Sequence, residues 1–141
     1  SAVRLAEKFP VRKEVLVQCN RGVNGIEGSL STAVGYATAQ PDRQHFVVIG
    51  DLSFFYDQNA LWNIHLPQNL HILLLNNGGG KIFETLPIPD EPRSRDFICG
   101  RHHASAETAC RQYGLRHLNS QEQMAEFVAS GQCTLLEIKT I

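Results

Sequence analysis

Two oxygen-bearing side chains stand directly after apolar runs. Phe46 to Ile49 is followed by Gly50-Asp51, and Leu70 to Leu75 by Asn76-Asn77 and then Gly78-Gly79-Gly80. A charged oxygen on Asp51, a neutral one on Asn77 and a glycine carbonyl in the next turn suit a hard divalent cation such as Mg2+. Such an ion takes oxygen ligands in an octahedron at about 2.1 Å and usually keeps places for a phosphate and water. Gly50 is expected to let the chain turn sharply, and Gly78 to Gly80 to allow positive φ and a close approach of backbone to ligand. Leu52 and Ser53 open a helix whose free amides favour a phosphate. Taken alone, Asp51 reads equally well as the N-cap of that helix; the set with Asn77 and the glycines carries the metal reading.

These groups can meet only if the two apolar runs are neighbouring strands. Continuous rather than alternating apolar runs at Val15 to Cys19, Phe46 to Ile49, Leu70 to Leu75 and Thr134 to Ile138 predict strands buried on both faces, the habit of a parallel sheet covered by helices. A short strand is expected at Leu115 to Leu118, after the Gly114 stop. Helical intervals are Gly28 to Ala39, Phe54 to His65, Ser105 to Tyr113 and Gln121 to Ala129, the last opened by Ser120 with Gln123 placed to reach back. The expected fold is α/β: a three-layer, doubly wound, mostly parallel sheet, with ligands collecting at the carboxyl ends of its strands. Nine of the twelve residues from Gly28 to Ala39 are Gly, Ala, Ser or Thr, so that helix can lie very close to the sheet or to a cofactor.

The 141 residues, 43% apolar and 19% charged, fit a single domain spanning 1–141. A net charge of -1 without long runs of either sign argues against nucleic acid as a partner. No apolar stretch approaches the length needed to cross a bilayer, and the first ten residues lack signal-peptide order, so a cytoplasmic location with no membrane partner is expected. Cys19, Cys99, Cys110 and Cys133 form no CxxC and read as buried thiols. Trp62, Phe54 and Phe55 read as core, and His102-His103 as part of a solvated loop. Leu86 to His103, with Pro87, Pro89 and Pro92, reads as a functional lid, a disordered spacer or a plain surface loop. The sequence starts at Ser1 rather than Met and opens in a helical pattern, as expected for a piece of a longer chain.

A Gly-Asp pair and an Asn-Asn pair enclosing 24 residues, each after an apolar strand, resemble the thiamine-diphosphate motif. The string Asn20-Arg21-Gly22-Val23-Asn24-Gly25-Ile26-Glu27-Gly28-Ser29-Leu30-Ser31-Thr32 narrows the choice, as do Gly50-Asp51-Leu52-Ser53 and Asn77-Gly78-Gly79-Gly80-Lys81-Ile82-Phe83. Together they resemble the family of 2-succinyl-5-enolpyruvyl-6-hydroxy-3-cyclohexene-1-carboxylate synthases of menaquinone biosynthesis, and only its C-terminal, diphosphate-binding domain. Leu52 stands where the wider superfamily usually has glycine.

The resemblance implies a transferase using thiamine diphosphate and Mg2+ that decarboxylates 2-oxoglutarate and adds the resulting carbanion equivalent to isochorismate. It implies Asp51, Asn77 and Gly79 as metal ligands, and Gly50, Leu52 and Ser53 against the diphosphate. Ile26 becomes the apolar prop that keeps the cofactor bent. Arg4 and Arg21 become the carboxylate-binding arginines, and Ile82, Phe83 and Leu86 an apolar substrate wall. The role of Lys81 is left open. No catalytic residue is expected within the chain, because the family's activating glutamate comes from the N-terminal domain of a partner subunit in a homodimer or homotetramer. Two alternatives stand beside this reading. One is a domain of another thiamine-diphosphate-dependent 2-oxoacid decarboxylase or acetolactate-type synthase; the other is a non-catalytic, phosphate-binding flavodoxin-like module.

Overall fold

Apolar runs buried by helices tend to pair in parallel, and three of the four in this chain, Phe46 to Ile49, Leu70 to Leu75 and Thr134 to Ile138, do so. A computed structural model describes residues 2–20, 25–87, 91 and 93–140, with the side chains of Arg4 and Leu5 outside the description. Strands β1 (His45–Gly50), β2 (Leu70–Asn76), β3 (Arg116–Leu118) and β4 (Thr134–Lys139) form one sheet in the order β1-β2-β4-β3. Every neighbouring pair is parallel. Helices α1 (Ala2–Ala6), α2 (Ser29–Ala39), α3 (Asp51–Tyr56), α4 (Ser94–Ile98), α5 (Glu107–Tyr113) and α6 (Met124–Val128) complete the described elements with three tight helical turns.

The two faces of the sheet are covered unequally. On one, Ile49, Leu70, Ile72, Leu74 and Leu135 pack against Leu30, Val34 and Ala37 of α2, Phe54 of α3 and Ala109 and Cys110 of α5. Leu30, Val34 and Ala37 recur at the spacing of one helical stripe, and burying each large apolar side chain contributes about 1.5–3 kcal/mol. On the other face the cluster is Leu118, Phe127 and Leu136, with Leu73 and Ile138 partly covered. There α6 is the cover, and Phe46 and Val48 of β1 remain half exposed.

Helix starts are set by specific bonds. Gly28, with φ 77°, leads into α2, which no side chain of its own caps. Instead the buried Asp57 carboxylate accepts from the Ser31 amide at 2.7 Å and from the Ser31 hydroxyl. The Ser120 and Gln123 capping box forms as its sequence predicts, and Gly114, at φ 74°, ends α5.

Several expectations need correction. Val15 to Cys19 is not a strand: it joins no ladder, and Val15, Leu16 and Val17 are exposed. Its end is tied to α2 by Gln18 donating to the Tyr36 hydroxyl and by Asn20 Nδ2 donating to Gly28 O and Thr32 Oγ1. The interval Phe54 to His65 is not one helix. Chain after Asp51 turns as α3 and then as a tight turn over Gln58–Trp62. That break leaves Trp62 71% exposed, outside the core that takes Phe54.

Of the four thiols, Cys19 is exposed and Cys99, Cys110 and Cys133 are buried. Burial pushes Cys110, aided by Glu137 and Cys133, and Cys133 itself up to about 12. A thiolate is the reactive form, so a thiol reagent at mildly alkaline pH is expected to label Cys19 alone in the native chain and all four after denaturation. Mass spectrometry of the labelled chain checks this; rapid native labelling of Cys110 or Cys133 would contradict the buried placement.

Candidate cofactor and metal site

The register of β1 on β2 pairs Gly50 with Leu75, which sets Asp51 and Asn77 just beyond two adjacent strand tips. Neighbouring strands lie about 4.8 Å apart, close enough for the two side chains to share one small volume. Asp51 is 4% exposed. Its Oδ1 accepts from the Leu52 amide at 2.7 Å, and its Oδ2 from the amides of Asn77 and Gly79, each at 3.0 Å. Asp51 is not the N-cap of α3: Gly50 holds that position without a side-chain cap, and Asp51 is the first helical residue, with its second oxygen aimed across to the β2 tip.

The Asn77 carboxamide completes the convergence. One terminal atom lies 3.3 Å from Asp51 Oδ2 and 2.5 Å from the Gly79 carbonyl oxygen. As an amide nitrogen it donates to both oxygens; as an oxygen it makes a cluster of three. Adjacent ligands of an octahedron with bonds of about 2.1 Å stand roughly 3 Å apart, a value these two spacings bracket. The residues therefore fit a Mg2+ ion, with one charged and two neutral oxygens. Among the described residues no three of His, Cys, Asp and Glu gather into a metal site of the transition-metal kind.

Glycine geometry builds the turn, though not everywhere as expected. Gly78 and Gly79 have φ of 77° and 145°, while Gly80 does not take a positive φ. A Cβ on Gly79 would meet Cys99 O at 2.8 Å and Arg101 Cα at 3.2 Å. Gly50 does not make the sharp turn: it is extended, with φ -82° and ψ 161°, and a Cβ there would enter open space.

Ser53 Oγ donates to Ile26 O at 2.5 Å, so the loop before α2 is tied to α3 beside Asp51. Gly50, Asp51, Leu52, Ser53, Ile26, Asn77 and Gly79 are thereby gathered at one end of the sheet. Ile82, Phe83 and Leu86 stand exposed on the following turn, with the Phe83 ring over Gly80. Arg21 lies outside the described residues. Arg4 is on α1, and its side chain lies outside the description.

The described residues from Ser94 to His102 lie behind the glycine turn of the candidate site. They include α4, and the chain beyond it backs the turn: Gly80 N donates to Cys99 O at 2.6 Å, and His102 N to Gly78 O at 3.1 Å. His102 is not solvated. Its Nε2 is buried without a hydrogen-bond partner, 3.4 Å from Asp51 Oδ2, and its ring meets Phe55 edge-on. A cleft of about 290 Å³ opens here, lined by Asn77, Gly79, Lys81, Glu84, Cys99 and Arg101. Arg101 pairs with Glu84 and Asp96 at its rim.

Residues 3–138 match the model of the thiamine pyrophosphate enzyme C-terminal TPP binding domain. The chain belongs to this family. As a thiamine pyrophosphate enzyme domain it has close relatives, each named 2-succinyl-5-enolpyruvyl-6-hydroxy-3-cyclohexene-1-carboxylate synthase. It is 51% identical to that of Phocaeicola vulgatus over 129 residues, covering 89% of this chain and 23% of the relative. Against Bacteroides thetaiotaomicron the identity is 53%, with the same coverage. Against Desulfotalea psychrophila it is 46%, over 82% of this chain and 22% of the relative. The domain thus spans about a quarter or less of the length of the curated relatives it matches. Among solved structures it is similar to the thiamine diphosphate-dependent 4-hydroxybenzoylformate decarboxylase of Rhodococcus jostii RHA1, with a TM-score of 0.59 and 28% identity over 79% of this chain and 22% of that one. The parallel α/β fold is that of thiamine-diphosphate-binding proteins. The flavodoxin-like alternative is left without support. Among the described residues no helix is long and apolar enough to cross a membrane.

Proposed function

We propose that this domain anchors the diphosphate of thiamine diphosphate, through Mg2+, in a cytoplasmic transferase that decarboxylates 2-oxoglutarate and adds the product to isochorismate. The observation that carries the reading is the meeting of Asp51, Asn77 and the Gly79 carbonyl, with identity of up to 53% to synthases of that name beside it. Asp51, Asn77 and Gly79 would hold the ion. Gly50 leaves the strand tip open to the diphosphate, and Leu52 and Ser53 border it. Bound here, thiamine diphosphate would supply the carbon nucleophile and the electron sink that decarboxylation of a 2-oxoacid needs.

The chain's own residues bind and orient. Ile26, fixed by the Ser53 hydroxyl on its carbonyl, would prop the cofactor in its bent form. Arg4 and Arg21 would take the carboxylates of two acidic substrates, a task suited to the guanidinium fork. Ile82, Phe83 and Leu86 would supply an apolar wall that excludes water. The activating glutamate would come from the N-terminal domain of a partner subunit, which makes the working enzyme a homodimer or homotetramer and this domain, 1–141, its C-terminal part.

The test compares 2-oxoacids on the full-length polypeptide with thiamine diphosphate, Mg2+ and isochorismate. Adduct formation with 2-oxoglutarate, and not with pyruvate or benzoylformate, is expected. Preferential turnover of either of the others would replace this reading with the decarboxylase or acetolactate-type one, which the 28% identity to the Rhodococcus decarboxylase keeps in view. The 141-residue chain alone is expected to be inactive, and product formation by it would refute the need for a second domain.

A further inference from the structure

A carboxylate inside an apolar strand must be paired or it destabilises the fold. Glu137 of β4 is 1% exposed and lies in the run Thr134-Leu135-Leu136-Glu137-Ile138. Its Oε1 accepts from Asn76 Nδ2 at 2.6 Å. Its Oε2 accepts from Ser105 Oγ at 2.7 Å and from the Ala106 amide at 3.2 Å, and His117 Nε2 lies 3.2 Å away. Burial by itself would raise the carboxyl pKa; the bonds from Ser105, Asn76, His117 and Ala106 outweigh it and hold the group below its ordinary value.

What this network touches on its far side gives it a role. Asn76 stands next to Asn77 and has its two amide hydrogens committed, one to Glu137 and one to Ala104 O at 2.9 Å. That fixes which end of the carboxamide is oxygen, and Oδ1 accepts from the Gly78 amide at 3.1 Å. Glu137 also holds Ser105 and Ala106, just beyond His102, whose amide donates to Gly78 O at 3.1 Å. Both the amide and the carbonyl of Gly78 are therefore tied, by two routes, to one buried carboxylate.

We propose that Glu137 is a positioning residue for the ion site, acting through Asn76 and the segment Ala104 to Ala106 to hold the turn that carries Asn77 and Gly79. The inference rests on the reading of Asp51, Asn77 and Gly79 as ligands. Glu137→Gln is nearly isosteric, but the Ser105 hydroxyl and the Ala106 amide already donate to the Oε2 position, so the new amide oxygen is drawn there and the NH2 group confronts Asn76 Nδ2. Asn76 must then turn or withdraw, and the Gly78 amide loses its acceptor.

The experiment is a titration of Mn2+, a substitute for Mg2+ visible by electron paramagnetic resonance, into the full-length polypeptide at saturating thiamine diphosphate and well below the unfolding temperature. Glu137→Gln is expected to weaken Mn2+ binding about tenfold or more, the usual effect of losing a group that orients metal ligands. Asn76→Ala is expected to do the same, which keeps the test decisive if Glu137→Gln fails to fold. The double variant is expected to be no weaker than the poorer single one, because both act along one path. A variant that loses thermal stability yet binds Mn2+ as the wild type does would overturn the inference, as would fully additive losses. Wild type without saturable Mn2+ binding would overturn the ligand reading as well.

Discussion

Replacing Asp51 with alanine is expected to abolish binding of thiamine diphosphate and Mg2+ at working concentrations, and with it the activity of the full-length enzyme. The carboxylate supplies the charge among the three proposed ligands, and it also accepts three backbone amides, those of Leu52, Asn77 and Gly79. Removing one partner from a buried charged pair costs about 3–5 kcal/mol. At 1.4 kcal/mol per factor of ten, that is a loss of affinity of roughly a hundredfold to a few thousandfold. Calorimetry with thiamine diphosphate and Mg2+ on wild type and variant measures it. Retention of affinity within about threefold would mean that the ion is held elsewhere.

Gly79→Ala tests the turn rather than the charge. At φ 145° an L side chain is strained, and its Cβ would meet the Cys99 and Gly100 carbonyl oxygens and Arg101 Cα, at 2.8, 3.3 and 3.2 Å. These neighbours are backbone, and the Cys99 carbonyl is already committed to the Gly80 amide, so relief requires moving the turn or the chain behind it. A stability loss of about 1–3 kcal/mol is expected, together with displaced Asn77 and Gly79 oxygens and a lower affinity for the ion. Gly35→Ala is the contrasting control: Gly35 is an exposed helix interior position in α2 with nothing within 4 Å of a new Cβ. There the change is expected to stabilise by about 0.5–1 kcal/mol. Thermal or urea unfolding separates the two, and equal effects of opposite sign to these would reject the geometry.

The strand tips were legible because two independent patterns coincide in them: a run of buried β-formers, then a residue pair that interrupts it with oxygen atoms. Register did the rest, since Gly50 opposite Leu75 leaves Asp51 and Asn77 little choice but to meet. Val15 to Cys19 misled for a physical reason. A continuous apolar run does not by itself name a ladder partner, and in this chain Val15, Leu16 and Val17 stay exposed while only Gln18 and Asn20 are tied to α2 and the residue before it. Trp62 misled likewise, since aromatic character alone does not report the break after Tyr56. His102 was invisible as a site neighbour because tertiary contacts, the backbone bond to Gly78 and the edge of Phe55, bring it to Asp51. Glu137 did carry a signal, a lone acid between Leu136 and Ile138 in a strand pattern, but its partners Ser105 and His117 are distant in the chain. The Asn76-Asn77 pair reads as one motif in sequence and divides in space: Asn76 turns inward to Glu137, Asn77 toward Asp51.

The uneven cover of the sheet has a consequence for handling. Phe46 and Val48 on β1, the edge strand of the sheet among the described residues, with Val15, Leu16 and Val17 also bared, give this domain on its own a sticky flank. Such flanks favour clumping in water. Preparations of the 141-residue chain alone are expected to lose material with rising concentration, a colloidal fault of a bared flank and not a flaw in its chemistry.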